Sequence, residues 1–108
     1  MGRTQPEMIS KLRAFRRSVA RKYGIEKAIL FGSHATGRQR KDSDVDILVV
    51  SRRKGKLRLI SKLYHEWHVV LKLGIPVDFI CYTPGEFDRL RRRATIVREA
   101  VRDGIEIA

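Results

Sequence analysis

Apolar residues recur three and four positions apart in three stretches of the chain, and this spacing predicts amphipathic helices. The first helix is expected to begin at Pro6 and end before Gly24, the second to cover Leu57–Leu73, and the third to run from about Phe87 to Arg102. The residues predicted to face inward in the last two helices are Leu57, Ile60, Leu63, Tyr64, Trp67, Val70 and Leu71, and Phe87, Leu90, Ala94, Val97 and Val101.

Shorter stretches that are apolar on both faces are typical of strands covered on two sides. The predicted strands are Ile25–Phe31, Asp44–Val50 and Ile75–Tyr82, and the apolar end at 105–108 could add an edge strand. A single turn of helix is expected between the first two strands, with Ser33 as its N-cap and Gly37 as its left-handed stop. The order of these elements predicts one small α/β domain over residues 1–108, a mixed sheet flanked by helices.

The connections between the strands predict how they pair. About a dozen residues join the first two strands, too few for a parallel crossover with a full helix, so an antiparallel pair is expected. A helix joins the second and third strands, which suits a parallel crossover. This topology is expected to bring the Gly32-Ser33 turn, Asp44 and Asp46, and Asp78 to one edge of the sheet.

Three aspartates interrupt these apolar strands. Asp44 and Asp46 alternate, so their carboxylates leave the same face of the strand roughly 6–7 Å apart. Asp78 lies within an apolar stretch, where leaving a carboxylate unpaired would cost on the order of several kcal/mol. Neighbouring carboxylates repel each other, and a divalent cation relieves that repulsion. We therefore expect one metal site, the alternative being that Asp78 faces solvent on an edge strand.

The segment between the first two strands carries candidate phosphate ligands. Gly32 allows a close backbone approach, and Ser33 offers a hydroxyl and a backbone N–H. Arg38 and Lys41 could neutralise charge on a leaving group, although each could equally be an ordinary solvated side chain. A phosphate site and a metal site within one excursion of the chain are typical of phosphoryl or nucleotidyl transfer, in which two bridged divalent ions activate the attacking hydroxyl and neutralise the leaving pyrophosphate.

The run Leu30-Phe31-Gly32-Ser33, followed after ten residues by Asp44-Val45-Asp46, resembles the signature of DNA polymerase β-like nucleotidyltransferases. More narrowly, most of the chain is similar to the minimal nucleotidyltransferases encoded beside HEPN-domain proteins. The signature is specific because it combines a Gly-Ser turn, an acidic pair at strand spacing and flanking apolar runs. An acidic pair alone would be a weak signal.

The resemblance implies a function for each of these residues. Asp44, Asp46 and Asp78 would form the catalytic triad that binds Mg²⁺, and Gly32 and Ser33 would contact the nucleotide phosphates. The reaction would transfer a nucleoside monophosphate, with ATP as the expected donor, to a hydroxyl on a partner macromolecule. Members of this group act as antitoxins, some by adding AMP to a tyrosine of the paired HEPN toxin. The chain has no second domain for the acceptor, so a partner or self-association is expected to supply it.

Composition leaves two other functions open. A formal net charge of +12 draws polyanions, although it could also be a solubilising surface. The chain could therefore be a basic nucleic-acid-binding domain, or a non-catalytic antitoxin that neutralises its partner by contact. No apolar run is long enough to span a membrane, no secretory signal precedes the first helix, and Cys81 is a lone cysteine. These features favour the cytoplasm.

Several remaining residues are expected to be structural or solvated. His34 could touch a phosphate but is expected to be exposed, and Asp42 is expected to be solvated or to cap a turn. His65 and His68 are expected on a helix surface, and Cys81 in the core. The basic residues that follow the second strand are expected opposite the metal edge, and these are Arg52, Arg53, Lys54, Lys56 and Arg58.

Overall fold

The computed structural model describes residues 6–40, 43–53 and 55–107. The helices are α1 (Pro6–Tyr23), α2 (Ser33–Thr36), α3 (Lys56–His65), which continues into a π-helical turn (Glu66–Val70), α4 (Pro84–Leu90) and α5 (Ile96–Asp103). The strands are β1 (Ile25–Phe31), β2 (Val45–Ser51), β3 (Val77–Tyr82) and β4 (Ile105–Glu106). The four strands form one sheet in the order β3-β2-β1-β4, which confirms the predicted α/β fold with a mixed sheet.

The strand directions agree with those predicted from connection length. β1 and β2 are antiparallel, with Phe31 opposite Asp46, and β2 and β3 are parallel, with Asp46 opposite Asp78. β4 pairs with β1 in the antiparallel direction, so the apolar end of the chain does add an edge strand. Because side chains alternate along a strand, the register places the side chains of Asp46 and Asp78 on the same face of the sheet.

Helices cover both faces of the sheet and create two apolar clusters. α1 and α3 pack on one face, where Phe15 lies 5.2 Å from Trp67 and 5.4 Å from Phe79 between ring centroids. The buried residues of the other cluster come from β1, β2, α4 and α5, and they are Ile29, Phe31, Leu48, Val50, Phe87, Val97 and Ala100. Asp46 alternates with the buried Val45 and Ile47 of the first cluster, so its side chain leaves the face covered by α4 and α5.

The predicted last helix is wrong in one respect, because it is two helices. The segment from Thr83 to Glu86, which could be a turn or a helix start, is a helix start: α4 begins at Pro84, where Thr83 and Glu86 form a capping box, and it ends at Leu90. α5 begins at Ile96, and the Thr95 side chain caps it by accepting a hydrogen bond from the Arg98 N–H. The break between α4 and α5 changes which residues of this segment face the core. Ala100 is buried, whereas the predicted inward residues Ala94 and Val101 are exposed.

The second predicted helix also departs from regular α-helical spacing. Its last turn is π-helical, which rotates Glu66 and Trp67 together into the interior. Glu66 is 1% exposed and accepts hydrogen bonds from Ser18 Oγ and from Lys22 Nζ, the latter at 3.2 Å. Leu57 and Val70, both predicted to face inward, are 83% and 49% exposed. The spacing of the apolar residues could not predict that Glu66 is buried, because a charged residue is not part of that pattern.

Smaller boundary corrections affect the predicted site. β2 begins at Val45, so Asp44 immediately precedes the strand, and β3 begins at Val77 rather than Ile75. Ser33 is not an N-cap: Gly32 occupies that position without a side-chain hydrogen bond, and Ser33 is the first helical residue. Gly37 does end the turn in the left-handed conformation, as predicted. Among the described residues, no helix combines the length and apolarity needed to cross a membrane.

Candidate active site

Two strands position the three predicted aspartates. Asp46 is half-buried at the start of β2, and Asp44 is exposed one residue before the strand. Asp78 is exposed on the edge strand β3, in register with Asp46. The alternative that Asp78 faces solvent on an edge strand is therefore confirmed, and the argument that its carboxylate needs a partner because it is unpaired in an apolar stretch does not hold. What brings Asp78 to the site is the parallel register of β2 and β3.

The electrostatics of Asp46 show that the three carboxylates interact. Burial raises the pKa of Asp46, and the negative charges of Asp78 and Asp44 raise it further, while His34 opposes the shift. Burial is the larger cause of the shift, and the two neighbouring charges add to it because both lie near Asp46. In the part of the chain that the structure describes, no three His, Cys, Asp or Glu side chains are arranged to hold a metal ion as they stand.

The turn after β1 approaches the Asp46 carboxylate closely. Gly32 has φ 75° and ψ −155°, a conformation essentially restricted to glycine. A Cβ at this position would collide with Oδ2 of Asp46. Gly32 therefore brings the backbone close to the Asp46 carboxylate, while its approach to a phosphate stays a prediction.

The short helix α2 turns the chain at this point. The Gly32 carbonyl accepts hydrogen bonds from the N–H groups of Ala35 and Thr36, at 3.1 and 3.3 Å. The Ser33 carbonyl accepts one from the N–H of Arg38, at 2.9 Å. These bonds fix the conformation of the turn, in which Ser33 and Asp46 line the same cavity.

This cavity has a volume of about 470 Å³ and will be called the Gly32 cavity. Its lining residues are Phe31, Gly32, Ser33, Thr36, Arg38, Asp46, Ile96, Glu99, Ala100 and Asp103. Four of the predicted site residues thus line one cavity. Asp44 and Asp78 are not among its lining residues, and Lys41 and Asp42 lie outside the described residues.

One wall of the Gly32 cavity was not predicted from the sequence. α5 contributes Ile96, Glu99, Ala100 and Asp103, which are spaced three and four residues apart and therefore share one helical face. The charge of Arg38 helps to lower the pKa of Asp103, after the hydrogen bond and charge of Arg102. The apolar period predicted only which residues of the last helix face inward, so it gave no reason to place the carboxylates of this helix at the site.

His34 also differs from its predicted role. It is 8% exposed, and its Nε2 lies 3.1 Å from the carbonyl oxygen of Ser43. The contact connects α2 to the segment just ahead of Asp44. The charge of His34 also acts to lower the pKa of Asp46. The prediction that His34 is exposed is wrong.

The predictions for the two helical histidines, for Cys81 and for the basic residues after β2 are confirmed. His65 and His68 are exposed, and Cys81 is buried, with burial raising the pKa of its thiol to about 12. The described basic residues after β2 lie at the opposite end of that strand from Asp44 and Asp46. Arg53, Leu57, Arg58, Ser61 and Lys62 line a separate open groove of about 570 Å³ there.

The fold and the site together are those of a nucleotidyltransferase. They combine a mixed sheet, a glycine turn in contact with the Asp46 carboxylate of β2, and a second carboxylate, Asp78, opposite Asp46 on the parallel strand β3. The family model described as a nucleotidyltransferase domain matches residues 12–103, and the chain belongs to this family. The resemblance drawn from the sequence motif is thereby confirmed.

Two curated relatives are similar over part of the chain. A Methanocaldococcus jannaschii protein with the provisional name protein adenylyltransferase is 38% identical over 61 residues, which are 56% of this chain and 63% of that protein. The chain therefore spans less than two thirds of that relative. Protein adenylyltransferase MntA of Thermococcus cleftensis is 32% identical over 77 residues, 71% of this chain and 76% of that protein.

Solved structures share the fold over nearly the whole chain. A toxin–antitoxin structure with AMP-PNP has a TM-score of 0.60 and 21% identity, and the match covers 89% of this chain and 72% of that one. A variant of the toxin–antitoxin MntA–HpeT has a TM-score of 0.63 and 20% identity, with 93% and 72% covered. At these identities the likeness establishes the fold.

Proposed function

We propose that this protein transfers AMP from ATP to a hydroxyl group of a partner protein, in a Mg²⁺-dependent reaction, as the antitoxin of a HEPN/MNT pair. The observation that carries the proposal is the contact of the Gly32 turn with Asp46, whose strand neighbour in register is Asp78. Two relatives named for protein adenylyltransferase activity and a fold neighbour solved with AMP-PNP support the choice of nucleotide. The cytoplasm is the proposed location.

Asp44, Asp46 and Asp78 are the proposed ligands of the metal. Carboxylate oxygens are the donors that Mg²⁺ prefers, and the raised pKa of Asp46 reflects a repulsion that a cation would remove. When bound, Mg²⁺ ions would lower the pKa of the attacking hydroxyl and neutralise charge on the departing pyrophosphate. Asp44 and Asp78 are both exposed, so their side chains can reorient toward Asp46 without disturbing the core.

The other residues bind and orient the nucleotide. Ser33, at the start of α2, would contact the triphosphate through its hydroxyl and backbone N–H. Arg38 lines the cavity and would neutralise charge as pyrophosphate leaves, and Lys41 is proposed for the same role. Asp78, which faces solvent, would accept the proton of the attacking hydroxyl and release it to water. A cavity of about 470 Å³ lies within the range that binds small ligands.

The experiment is label transfer from each of four α-labelled nucleoside triphosphates to a cognate HEPN partner, with and without Mg²⁺. We expect transfer from ATP, dependent on Mg²⁺, and none from the Asp44→Ala/Asp46→Ala variant. A different result would identify a non-catalytic antitoxin: the wild type transfers no label, and the double variant still binds and neutralises the partner.

A nucleic-acid-binding function is favoured by one specific observation, the net charge of +12 together with the basic groove of Arg53, Arg58 and Lys62. This function predicts micromolar RNA or DNA affinity that falls steeply with salt and is unchanged by the aspartate substitutions. Measuring RNA binding of the wild type and of the double variant at two salt concentrations separates this function from catalysis.

A further inference from the structure

The open groove beyond the far end of β2 carries a positive charge that no described carboxylate balances. It has a volume of about 570 Å³ and will be called the basic groove. Its lining residues are Arg53, Leu57, Arg58, Ser61 and Lys62, none of which is acidic. Within the described part of the chain, none of its three cations forms an ion pair.

Carboxylates of the neighbouring elements already pair with cations that do not line the basic groove. The three pairs are Glu26 with Arg52, Glu66 with Lys22, and Glu86 with Lys56. Glu66 is also 1% exposed, so it cannot turn toward the groove. The charge of the basic groove is therefore left for a ligand to neutralise.

The ring of Tyr23 holds two of the groove cations close together. The guanidinium carbon of Arg53 lies 5.6 Å from the ring centroid, and Nζ of Lys62 lies 5.9 Å from it. Nη1 of Arg53 also donates a hydrogen bond of 2.6 Å to the carbonyl oxygen of Lys22, in the last turn of α1. Two like charges held against one ring repel each other, and a bound anion would relieve that repulsion.

We propose that the basic groove binds an acidic segment of the partner protein, in which an apolar side chain between carboxylates contacts Leu57. The inference rests on the proposed function for the existence of a protein partner, and it adds the surface that holds this partner. Leu57 is 83% exposed, so it buries little apolar area in the fold and is free to contact a ligand. Carboxylates on either side of that contact would pair with Arg58 and Lys62.

Two observations favour a peptide over a nucleic acid as the occupant. Leu57 offers an apolar contact for which a phosphate backbone has no counterpart. In addition, none of the aromatic side chains that the structure describes is exposed, whereas single-stranded nucleic acid is usually held by bases that stack on exposed aromatic rings. The Tyr23 ring at the groove is half-buried and already has two cations against it.

The position of the basic groove separates partner binding from catalysis. The length of β2 (Val45–Ser51) places the groove roughly 20 Å from Asp44 and Asp46. A partner bound there leaves the Gly32 cavity open to ATP. If the bound segment also carried the acceptor hydroxyl, about six extended residues or more would have to connect the two sites.

The test measures fluorescence anisotropy without nucleotide at about 0.15 M salt, where long-range attraction is screened. The probes have equal negative charge and are a peptide of glutamates with interspersed leucines, a peptide of glutamates alone, and a single-stranded RNA. The Glu/Leu peptide is expected to bind most tightly. Leu57→Ser should lower its affinity to near that of the glutamate peptide and should leave the glutamate peptide unaffected.

Arg58→Glu reverses one groove charge and should weaken binding of the Glu/Leu peptide about tenfold or more. A glutamate in the first turn of α3 suits the helix N-terminus, so the fold should be kept. With the cognate HEPN partner, this variant should raise the KM about tenfold. Its kcat and its calorimetric affinity for ATP should stay within about twofold of wild type, since Arg58 does not line the Gly32 cavity.

The matched control is Arg13→Glu, the same charge change at an exposed α1 residue about 15 Å along the helix from Tyr23. It should leave the affinity for the Glu/Leu peptide within about twofold of wild type. Equal losses in the two variants, tighter binding of the RNA, or an unchanged KM for the HEPN partner in Arg58→Glu would each overturn the groove assignment but not the proposed function. The expected peptide results without AMP transfer by the wild type would support the groove assignment and overturn the proposed catalysis.

Discussion

Gly32 and Asp46 are in such close contact that no side chain fits between them. The Asp46 Oδ2 atom occupies the space where a Cβ on residue 32 would lie, and the φ of 75° at Gly32 independently disfavours any other residue. The backbone conformation therefore favours glycine in the Gly-Ser turn, and any side chain there would have to displace the Asp46 carboxylate. This contact joins the proposed phosphate site on one strand to the proposed metal site on the next.

The Gly32→Ala substitution is expected to displace the Asp46 carboxylate and to lower AMP transfer by about 100-fold or more, since misplacement of about 1 Å can cost that much. Backbone strain should also reduce the free energy of unfolding by about 1–3 kcal/mol. Transfer rates at saturating ATP and urea unfolding measure the two effects separately.

Gly24→Ala is the matched control, because Gly24 has φ 59° and nothing lies within 4 Å of the position that a Cβ would take there. It should also carry backbone strain from a positive φ, without touching any site residue, so its transfer rate should equal that of the wild type. A comparable loss of activity in Gly24→Ala would show that strain, and not the contact with Asp46, explains the effect at Gly32.

The buried Glu66 is expected to make stability depend on pH. Burial acts to raise the pKa of this carboxyl, but hydrogen bonds from Ser18 and Lys22 and the positive charge of Lys22 outweigh burial and hold the pKa below 4.5. A group whose pKa is lower in the folded state stabilises the fold above its unfolded pKa. That contribution is lost as the pH falls from about 4.5 through the folded pKa.

Glu66→Gln should reduce the free energy of unfolding at pH 7 by about 1–2 kcal/mol, since it removes a charged hydrogen-bond acceptor while leaving the amide oxygen. It should also flatten the decline in stability below pH 4.5. The control is Glu106→Gln, whose carboxylate is exposed and pairs with Lys27, and its effect should stay within about 0.5 kcal/mol. Urea unfolding at several pH values measures both, and an unchanged acid decline in Glu66→Gln would contradict the assignment.

Cys81 is expected to be unreactive in the native protein. It is 3% exposed, and burial raises the pKa of its thiol to about 12, so almost no thiolate is present at a pH of about 8. Alkylation by iodoacetamide, followed by mass spectrometry, should be slow in buffer and rapid in denaturant. Fast alkylation under native conditions would show that the packing of α3 against β3 opens readily.

The sheet could be predicted well from the sequence because short-range rules governed it. Connection length decided the antiparallel β1–β2 and parallel β2–β3 pairs, and the parallel pair brought Asp78 to the same edge of the sheet as Asp46. The helices were predicted less well at two points. The break at Arg91–Arg93 is followed by the Thr95 cap of α5, and the π-helical turn carries the buried Glu66 with its hydrogen bonds from Ser18 and Lys22. Apolar periodicity predicts neither feature.

The candidate site was predicted only in part, because some of its residues are neighbours in the sequence and others are brought together by packing. Gly32, Ser33, Arg38 and Asp46 belong to a local motif, and the structure brings them to one cavity. Glu99 and Asp103 come from a helix far along the chain, and only the packing of α5 against β1 places them beside that motif. His34 was misjudged because its burial results from a contact with Ser43 across the intervening loop.

The proposed function depends above all on Asp44 and Asp46 supporting AMP transfer from ATP. The most direct measurement is intact-mass spectrometry of a cognate HEPN partner after incubation with Mg²⁺·ATP and the wild type, Asp44→Asn/Asp46→Asn, or the exposed-carboxylate control Asp88→Asn. We predict an added AMP with the wild type and with Asp88→Asn, and an unmodified partner with the double variant. Equal modification by the double variant would contradict the proposed role of these two carboxylates.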